Sequence, residues 1–280
     1  MSCRVLCAAA VLAGLLTSCA GRPMGEGGTL VSAFAPSQAR DATDKFDADQ
    51  PVALTPVAWG RVNNPAALAG RTIEVASISD IVLRDKEVVL TFDDGPMPKK
   101  TEKIVGILDE YGVKATFLMV GEMAKAHPDI AQLVARHGHA IGSHTYRHPN
   151  LRSLSFEAAL AEIEKGQQAV RLATHQEPGF FRFPYLADTK KLRSATSAEG
   201  MVVLDVEIDS KDYFSVSPAA VATRTMSALR AHRKGIILLH DIHNRTAAML
   251  PALLTQLKAE GYKVVHLHRA RPSLMMASLD

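Results

Sequence analysis

Apolar residues fall in seven short runs, at 88–92, 115–119, 139–143, 179–183, 201–204, 235–239 and 262–267, and each has the length of a β-strand. Between them the spacing turns helical. The pattern predicts helices over 102–111, with Ile104, Val105, Leu108 and Tyr111 inward, over 124–136, over 155–174, with Phe156, Leu160, Ile163 and Val170 inward, and over 189–199. Ser217-Pro218 reads as an N-cap followed by proline at the first helical position. A last helix carries Met249, Leu250, Leu253, Leu254 and Leu257 and stops at Gly261. Strand and helix alternate throughout, which predicts a parallel α/β fold, either an open doubly wound sheet or a closed barrel. Both gather their ligands at the carboxyl ends of the strands. That is where the polar residues stand: Asp93 and Asp94 after the first run, His144 after the third, Arg182 in the fourth, Asp209 beyond the fifth and His240 after the sixth.

Asp93 and Asp94 are adjacent carboxylates directly before Gly95-Pro96, so a strand ends by pointing two acids in different directions as the chain turns away. Such a pair can divide labour between a cation and a proton. A bound divalent metal lowers the pKa of its water from 15.7 to about 7, and a separate base still has to take the proton. Adding His144 and His148 to Asp94 makes a set of two histidines and one carboxylate, which suits zinc with an open position and also non-haem iron and related metals. Pro149 biases His148 away from helical geometry, which places the pair on a loop or a frayed turn.

The segments TFDDGP at 91–96, HTYRH at 144–148, RFPY at 182–185, DSKDY at 209–213 and LLH at 238–240 occur in the order found in the polysaccharide deacetylases of carbohydrate esterase family 4, the NodB-homology family. Over residues 86–269 the chain resembles that family. The resemblance implies a distorted (β/α)7 barrel, with Asp93 as catalytic base, Asp94, His144 and His148 as metal ligands and His240 as general acid. It implies one divalent metal ion, zinc first, with cobalt, nickel, iron or manganese as alternatives. Arg182 is expected to pair with Asp93 and lower its pKa by about 1 to 3 units. Asp209 is expected to accept a hydrogen bond from His240 and favour the imidazolium. The implied reaction is hydrolysis of an N-acetyl group, with the backbone N–H of Tyr185 facing the oxyanion and Leu238 and Tyr213 lining the acetyl pocket. Many relatives carry tryptophan where this chain has Tyr213, so the shape of that pocket departs from the family pattern.

The chain has 11 histidines, and the others earn no role: His127, His137, His139, His175 and His232 fall in polar loops or helix ends, and His266 and His268 share one face of a strand end. The segment His240-Asp241-Ile242-His243 is weighed as a second ligand cluster and set aside, because nothing nearby completes it.

Arg4 and the apolar stretch 5–16 read as a secretory signal, too short to span a bilayer. Leu16-Thr17-Ser18-Cys19 resembles the bacterial lipobox, which implies cleavage before Cys19, a lipid on its sulfur and attachment to a membrane facing the periplasm or exterior. The expected organisation is a signal over 1–18, a flexible tether over 19–60, an extension over 61–85 that adds a strand, a lid or irregular packing, and one catalytic domain over 86–280. A tether of some 40 residues spans roughly 35 Å as a coil and at most about 140 Å extended. Cys3, Cys7 and Cys19 all lie in the first 19 residues, which excludes an internal disulfide or a cysteine-bound metal in the mature domain.

A content of 47% hydrophobic residues fits a globular domain with a full core. With 32 basic and 29 acidic residues dispersed along the chain, no basic stripe points to nucleic acid. Aromatics at 5% favour a short sugar-binding footprint over a long stacking groove. The expected substrate is an N-acetylated glycan of the cell envelope: peptidoglycan, exopolysaccharide or chitooligosaccharide. Hydrolysis of another amide, a cyclic imide or an O-acetyl ester on the same scaffold is the runner-up. A catalytically silent wall-binding lipoprotein is disfavoured, because the acid, base and ligand residues are all present.

Overall fold

The computed structural model describes residues 67–270. The expected signal, Cys19, the tether and residues 61–66 of the extension lie outside the described residues.

Among the described residues nine parallel strands make one sheet: β1 (Ala69–Val75), β2 (Glu87–Asp93), β3 (Thr116–Met119), β4 (Ala140–Ser143), β5 (Phe180–Phe181), β6 (Val202–Val203), β7 (Ile208–Asp209), β8 (Gly235–His240) and β9 (Lys263–Arg269). Seven of them run in the order β7-β8-β2-β3-β4-β5-β6, a nearly closed barrel whose open seam lies between β6 and β7. This is the (β/α)7 arrangement, although its seven strands are not the seven apolar runs. The strand missed is β7, whose two residues are too short to show as a run. The strand counted in error is β9. Because β8 occupies one edge of β2 along Val88–Asp93 and β3 pairs the other only from Thr91, β9 takes the lower part of that second edge at Glu87 and Val88. In the described part of the extension, Ala69–Val75 form a strand, β1, laid parallel against β9.

Period-two alternation sorts β2 into two columns. Val88, Leu90 and Phe92 pack outward among buried helix residues such as Ile104, Leu108, Leu250 and Leu254. Val89 packs inward with Leu118, Phe180 and Ile236, and the β1–β9 pair adds Ile73, Val75, Val265 and Leu267 to that inner cluster. The lower barrel is thereby filled with apolar side chains. Thr91 and Asp93 continue the inward column toward the carboxyl end, so the polar chemistry begins where the plug stops.

The helices are α1 (Thr101–Glu110), α2 (Gly121–Ala126), α3 (Pro128–Arg136), α4 (Phe156–Thr174), α5 (Lys190–Ala198), α6 (Pro218–His232) and α7 (Asn244–Ala259). The single helix expected over 124–136 is two. Pro128 has no N–H to continue a helix and forces His127 to φ −132°, so α2 ends there and α3 starts with proline in its first turn. Ser155, Thr189 and Ser217 each accept a hydrogen bond from a first-turn N–H and fix the starts of α4, α5 and α6. His139 is buried in the barrel wall, correcting its placement in a polar loop: its Nδ1 accepts the Ala115 N–H at 3.2 Å beside the Phe117 ring.

Candidate metal centre and active site

Ten residues singled out from the sequence, Asp93, Asp94, His144, His148, Arg182, Tyr185, Asp209, Tyr213, Leu238 and His240, line one pocket of about 450 Å³ at the carboxyl end of the barrel. Register explains the convergence. Asp93 pairs with Leu118 of β3 and with His240 of β8, so the loops after three neighbouring strands open at one level.

Asp94 sits one residue past β2 with φ +79°, which swings its carboxylate away from Asp93. Its Oδ1 is 3.6 Å from His144 Nε2 and 3.3 Å from His148 Nε2. These three ligand atoms lie within 4.8 Å of one another, and Asp94 Oδ1 is buried with no hydrogen-bond donor. A buried carboxylate oxygen without a donor is costly, and a cation held by these three groups would satisfy it. His144 Nδ1–H donates to the Arg182 carbonyl at 2.7 Å, which leaves the Nε2 lone pair turned to the same point. Burial lowers the His144 pKa to about 3, so the ring is neutral, as a ligand must be. The residues therefore fit a divalent cation. No other such cluster occurs among the described residues.

The loop carrying the two histidines is held from behind. Thr145 and His148 have φ of +66° and +60°, a strained setting for a β-branched residue, and neighbouring backbone fixes it. The N–H groups of Gly121 and Glu122, opening α2, donate to the Thr145 and Tyr146 carbonyls at 2.9 Å, and Tyr146 N–H donates to Glu162 of α4 at 3.0 Å. At Gly166 of α4 a methyl group would stand 2.4 Å from the Thr145 carbonyl carbon, so only glycine admits that approach.

Asp93 Oδ1 accepts from Arg182 Nη1 at 2.7 Å, and its Oδ2 lies 3.8 Å from His144 Nε2, beside the cation position. Arg182 also donates from Nη1 to Thr91 Oγ1 and from the rest of its fork to the Leu204 and Asp205 carbonyls. Arg182 pairs with Asp93 and pulls its pKa down as expected, but the expected net lowering is overturned. Both side chains are buried, and desolvation of the carboxylate outweighs the attraction of Arg182 and raises the pKa above the usual Asp range.

A second correction concerns the partner of His240. It is Asp212, not Asp209. His240 Nδ1–H donates to Asp212 Oδ1 at 2.7 Å, and the His240 backbone N–H and Thr246 hydroxyl donate to Oδ2 at 2.8 and 2.6 Å. Asp209 is level with Leu238 in the β7–β8 register, two residues short of His240, or about 6.6 Å at 3.3 Å per residue. Its Oδ2 instead accepts the Tyr213 hydroxyl at 2.9 Å. Burial alone would lower the His240 pKa, but the Asp212 hydrogen bond and the charges of Asp212, Asp93 and Asp94 raise it to about 9. Sequence reading missed Asp212 although DSKDY contains it; the signal available was that two acids three apart straddle a strand end.

Asp241 completes the support. It turns into the core rather than toward His243, accepts from Thr101 Oγ1 at 2.6 Å and lies so close to Gly95 that a methyl group there would meet its Oδ2 at 2.0 Å. The segment 240–243 is therefore no ligand cluster; its aspartate packs under the turn that carries Asp94.

A family model described as polysaccharide deacetylase matches residues 81–204. A chitin deacetylase of Colletotrichum lindemuthianum is 30% identical over 214 residues, covering 72% of this chain and 86% of its own length. The chain belongs to the polysaccharide deacetylase family. A family relative from Listeria monocytogenes, a peptidoglycan-N-acetylglucosamine deacetylase, is 33% identical over 181 residues, 65% of this chain but only 38% of that protein. Among solved polysaccharide deacetylase structures, the peptidoglycan deacetylase Bd3279 of Bdellovibrio bacteriovorus superposes with a TM-score of 0.64 at 33% identity, over 74% of this chain and 58% of its own.

Proposed function

We propose that the protein hydrolyses N-acetyl groups of amino-sugar glycans of the cell envelope, releasing acetate and a free amine. The observation that carries this is one 450 Å³ pocket holding a cation triangle, an adjacent unliganded carboxylate and a histidine kept charged by a buried aspartate. Peptidoglycan and chitin deacetylases among the relatives support the substrate class.

A divalent cation held by Asp94, His144 and His148 would polarise the acetyl carbonyl and acidify water, contributing several kcal/mol of charge stabilisation. Asp93 takes the proton of the attacking water; its raised pKa makes it a stronger base than an ordinary aspartate. Asp212 occupies His240 Nδ1, so Nε2 carries the proton given to the sugar nitrogen as the C–N bond breaks. Tyr185, Leu238 and Tyr213 all line the pocket, Tyr185 at φ +59° with its ring edge-on to His148. In this reading the Tyr185 backbone N–H serves the developing oxyanion, and Leu238 and Tyr213 enclose the acetyl methyl group. Asp209 holds the Tyr213 hydroxyl, and with partial burial and that bond raising the Tyr213 pKa to about 12 the phenol stays a neutral donor.

The test is acetate release from a panel of N-acetylated glycans after rigorous chelation and after return of single divalent metals. Activity is expected to vanish on chelation and return with zinc or cobalt. Release that survives complete metal removal would overturn the reading.

We also propose that the chain is exported and lipid-anchored through Cys19, supported by the apolar stretch 5–16 and the lipobox-like residues 16–19. No described helix is long and apolar enough to cross a membrane. Cys19→Ser is expected to move the protein from the membrane to the soluble fraction and to abolish fatty-acid labelling; unchanged membrane retention and labelling would refute the anchor.

A further inference from the structure

The loop between His144 and His148 is held by a charge as well as by backbone. Glu162, in the second turn of α4, sends its carboxylate to the residue just before His148: Oε2 accepts the Arg147 backbone N–H at 3.0 Å, and Oε1 accepts Arg147 Nε at 3.3 Å. The carbonyl of the same residue takes the Tyr146 N–H. Two successive amides between the histidines therefore end on one residue of a neighbouring helix.

The Arg147 side chain is 64% exposed, and an ion pair in solvent contributes little. The Glu162 side chain is only 12% exposed, so its charge-assisted bond to the amide is the stronger hold. Lys165 Nζ stands 3.9 Å from the Tyr146 ring centroid, and Gly166 admits the Thr145 carbonyl. Residues 162, 165 and 166 share one helix face, so α4 presents a template to loop residues 145–147. The loop needs one, because Thr145 and His148 stand at positive φ, a setting that lasts only while its surroundings impose it. Relaxation of those angles would carry His148 Nε2 away from Asp94.

We propose that Glu162 is a positioning residue for the cation site: by holding the Arg147 amide, its carboxylate keeps the strained loop in the shape that brings His148 up to Asp94. This rests on the cation reading above. Glu162 acts through the loop, since its carboxylate bonds only Arg147 among the described residues.

The experiment measures zinc affinity of the full chain by calorimetry after chelation, with thermal unfolding of the metal-free protein alongside. Glu162→Ala is expected to weaken zinc binding by about 10- to 100-fold, the usual effect of losing an outer support of a metal ligand. Glu162→Gln keeps an oxygen that accepts the Arg147 N–H and is expected to recover most of the affinity. Arg147→Ala keeps the amide and is expected to bind within about fivefold of the wild type. Thr174→Val is the control: it removes a buried hydroxyl bond to the Val170 carbonyl about 18 Å along the same helix, and should lower the melting temperature without moving zinc affinity. Unchanged affinity in Glu162→Ala would overturn the proposal. So would an equal loss in Arg147→Ala, which would make the exposed ion pair the hold, or in Thr174→Val, which would make affinity follow helix stability alone. A wild type that binds neither zinc nor cobalt overturns the cation reading itself.

Discussion

Asp93→Asn is expected to lower kcat by about 10²- to 10⁴-fold, the usual worth of a positioned general base. It is also expected to lower stability. Arg182 is 1% exposed and directs Nη1 at Asp93, so removing the carboxylate leaves a buried cation without its counter-charge, at a cost of about 3 to 5 kcal/mol. Asparagine retains an acceptor for that N–H, and Thr91, Leu204 and Asp205 retain theirs, which holds the cost to the lower part of that range. A domain of this size starts with about 5 to 15 kcal/mol, so the variant still folds. Two measurements separate chemistry from stability: kcat well below the melting transition, and cation affinity by calorimetry, which the intact triangle of Asp94, His144 and His148 should preserve. Near wild-type turnover would remove Asp93 from its role.

The barrel was legible because its long strands announce themselves. Val88 to Phe92 and Gly235 to Leu239 are buried on both faces, one toward the helices and one toward the plug, so they read as unbroken apolar runs. β7 was invisible for the opposite reason. Two residues among Asp205, Glu207 and Asp209 carry no pattern, and only pairing with β8 makes them a strand. β9 reads like a barrel strand because Tyr262, Val264, Val265 and Leu267 make an apolar run of strand length; its position under β3 depends on register, which composition does not encode.

The metal triangle was legible as spacing plus a turn: two acids before Gly95-Pro96, two histidines before Pro149. What spacing left out were the supports. Gly166 matters through backbone approach to residues 145 and 146, Gly121 through its approach to the Gly166 backbone and the Tyr146 ring, and Asp241 through contact with Gly95. These are close contacts between segments far apart in sequence, and no local periodicity reports them. The sign of the Asp93 shift was misread on similar grounds. A neighbouring arginine is visible in a motif, but the burial that outweighs it exists only in the fold.

Asp212→Asn is expected to displace the alkaline limb of the pH–rate profile, and Asp209→Asn is not. His240 acts as an acid only while protonated. Its pKa, raised to about 9, keeps it charged through neutrality, and activity declines as pH rises through that value. Burial works against the charge, and the Asp212 hydrogen bond with its negative charge are the leading opposing causes. Without them burial dominates and the pKa falls. At pH 8 the Asp212→Asn variant should then lose at least about tenfold in kcat, since each unit of displacement past the working pH removes a factor of ten of the protonated form. Part of the loss should return on lowering the pH, until protonation of Asp93, whose pKa burial raises, sets the acidic limb. Asp209→Asn acts elsewhere. It loosens the Tyr213 hydroxyl, so its effect should appear in KM with the alkaline limb still near 9. If instead Asp209→Asn shifted the limb and Asp212→Asn left it in place, the proton-donating pair would have been assigned to the wrong carboxylate.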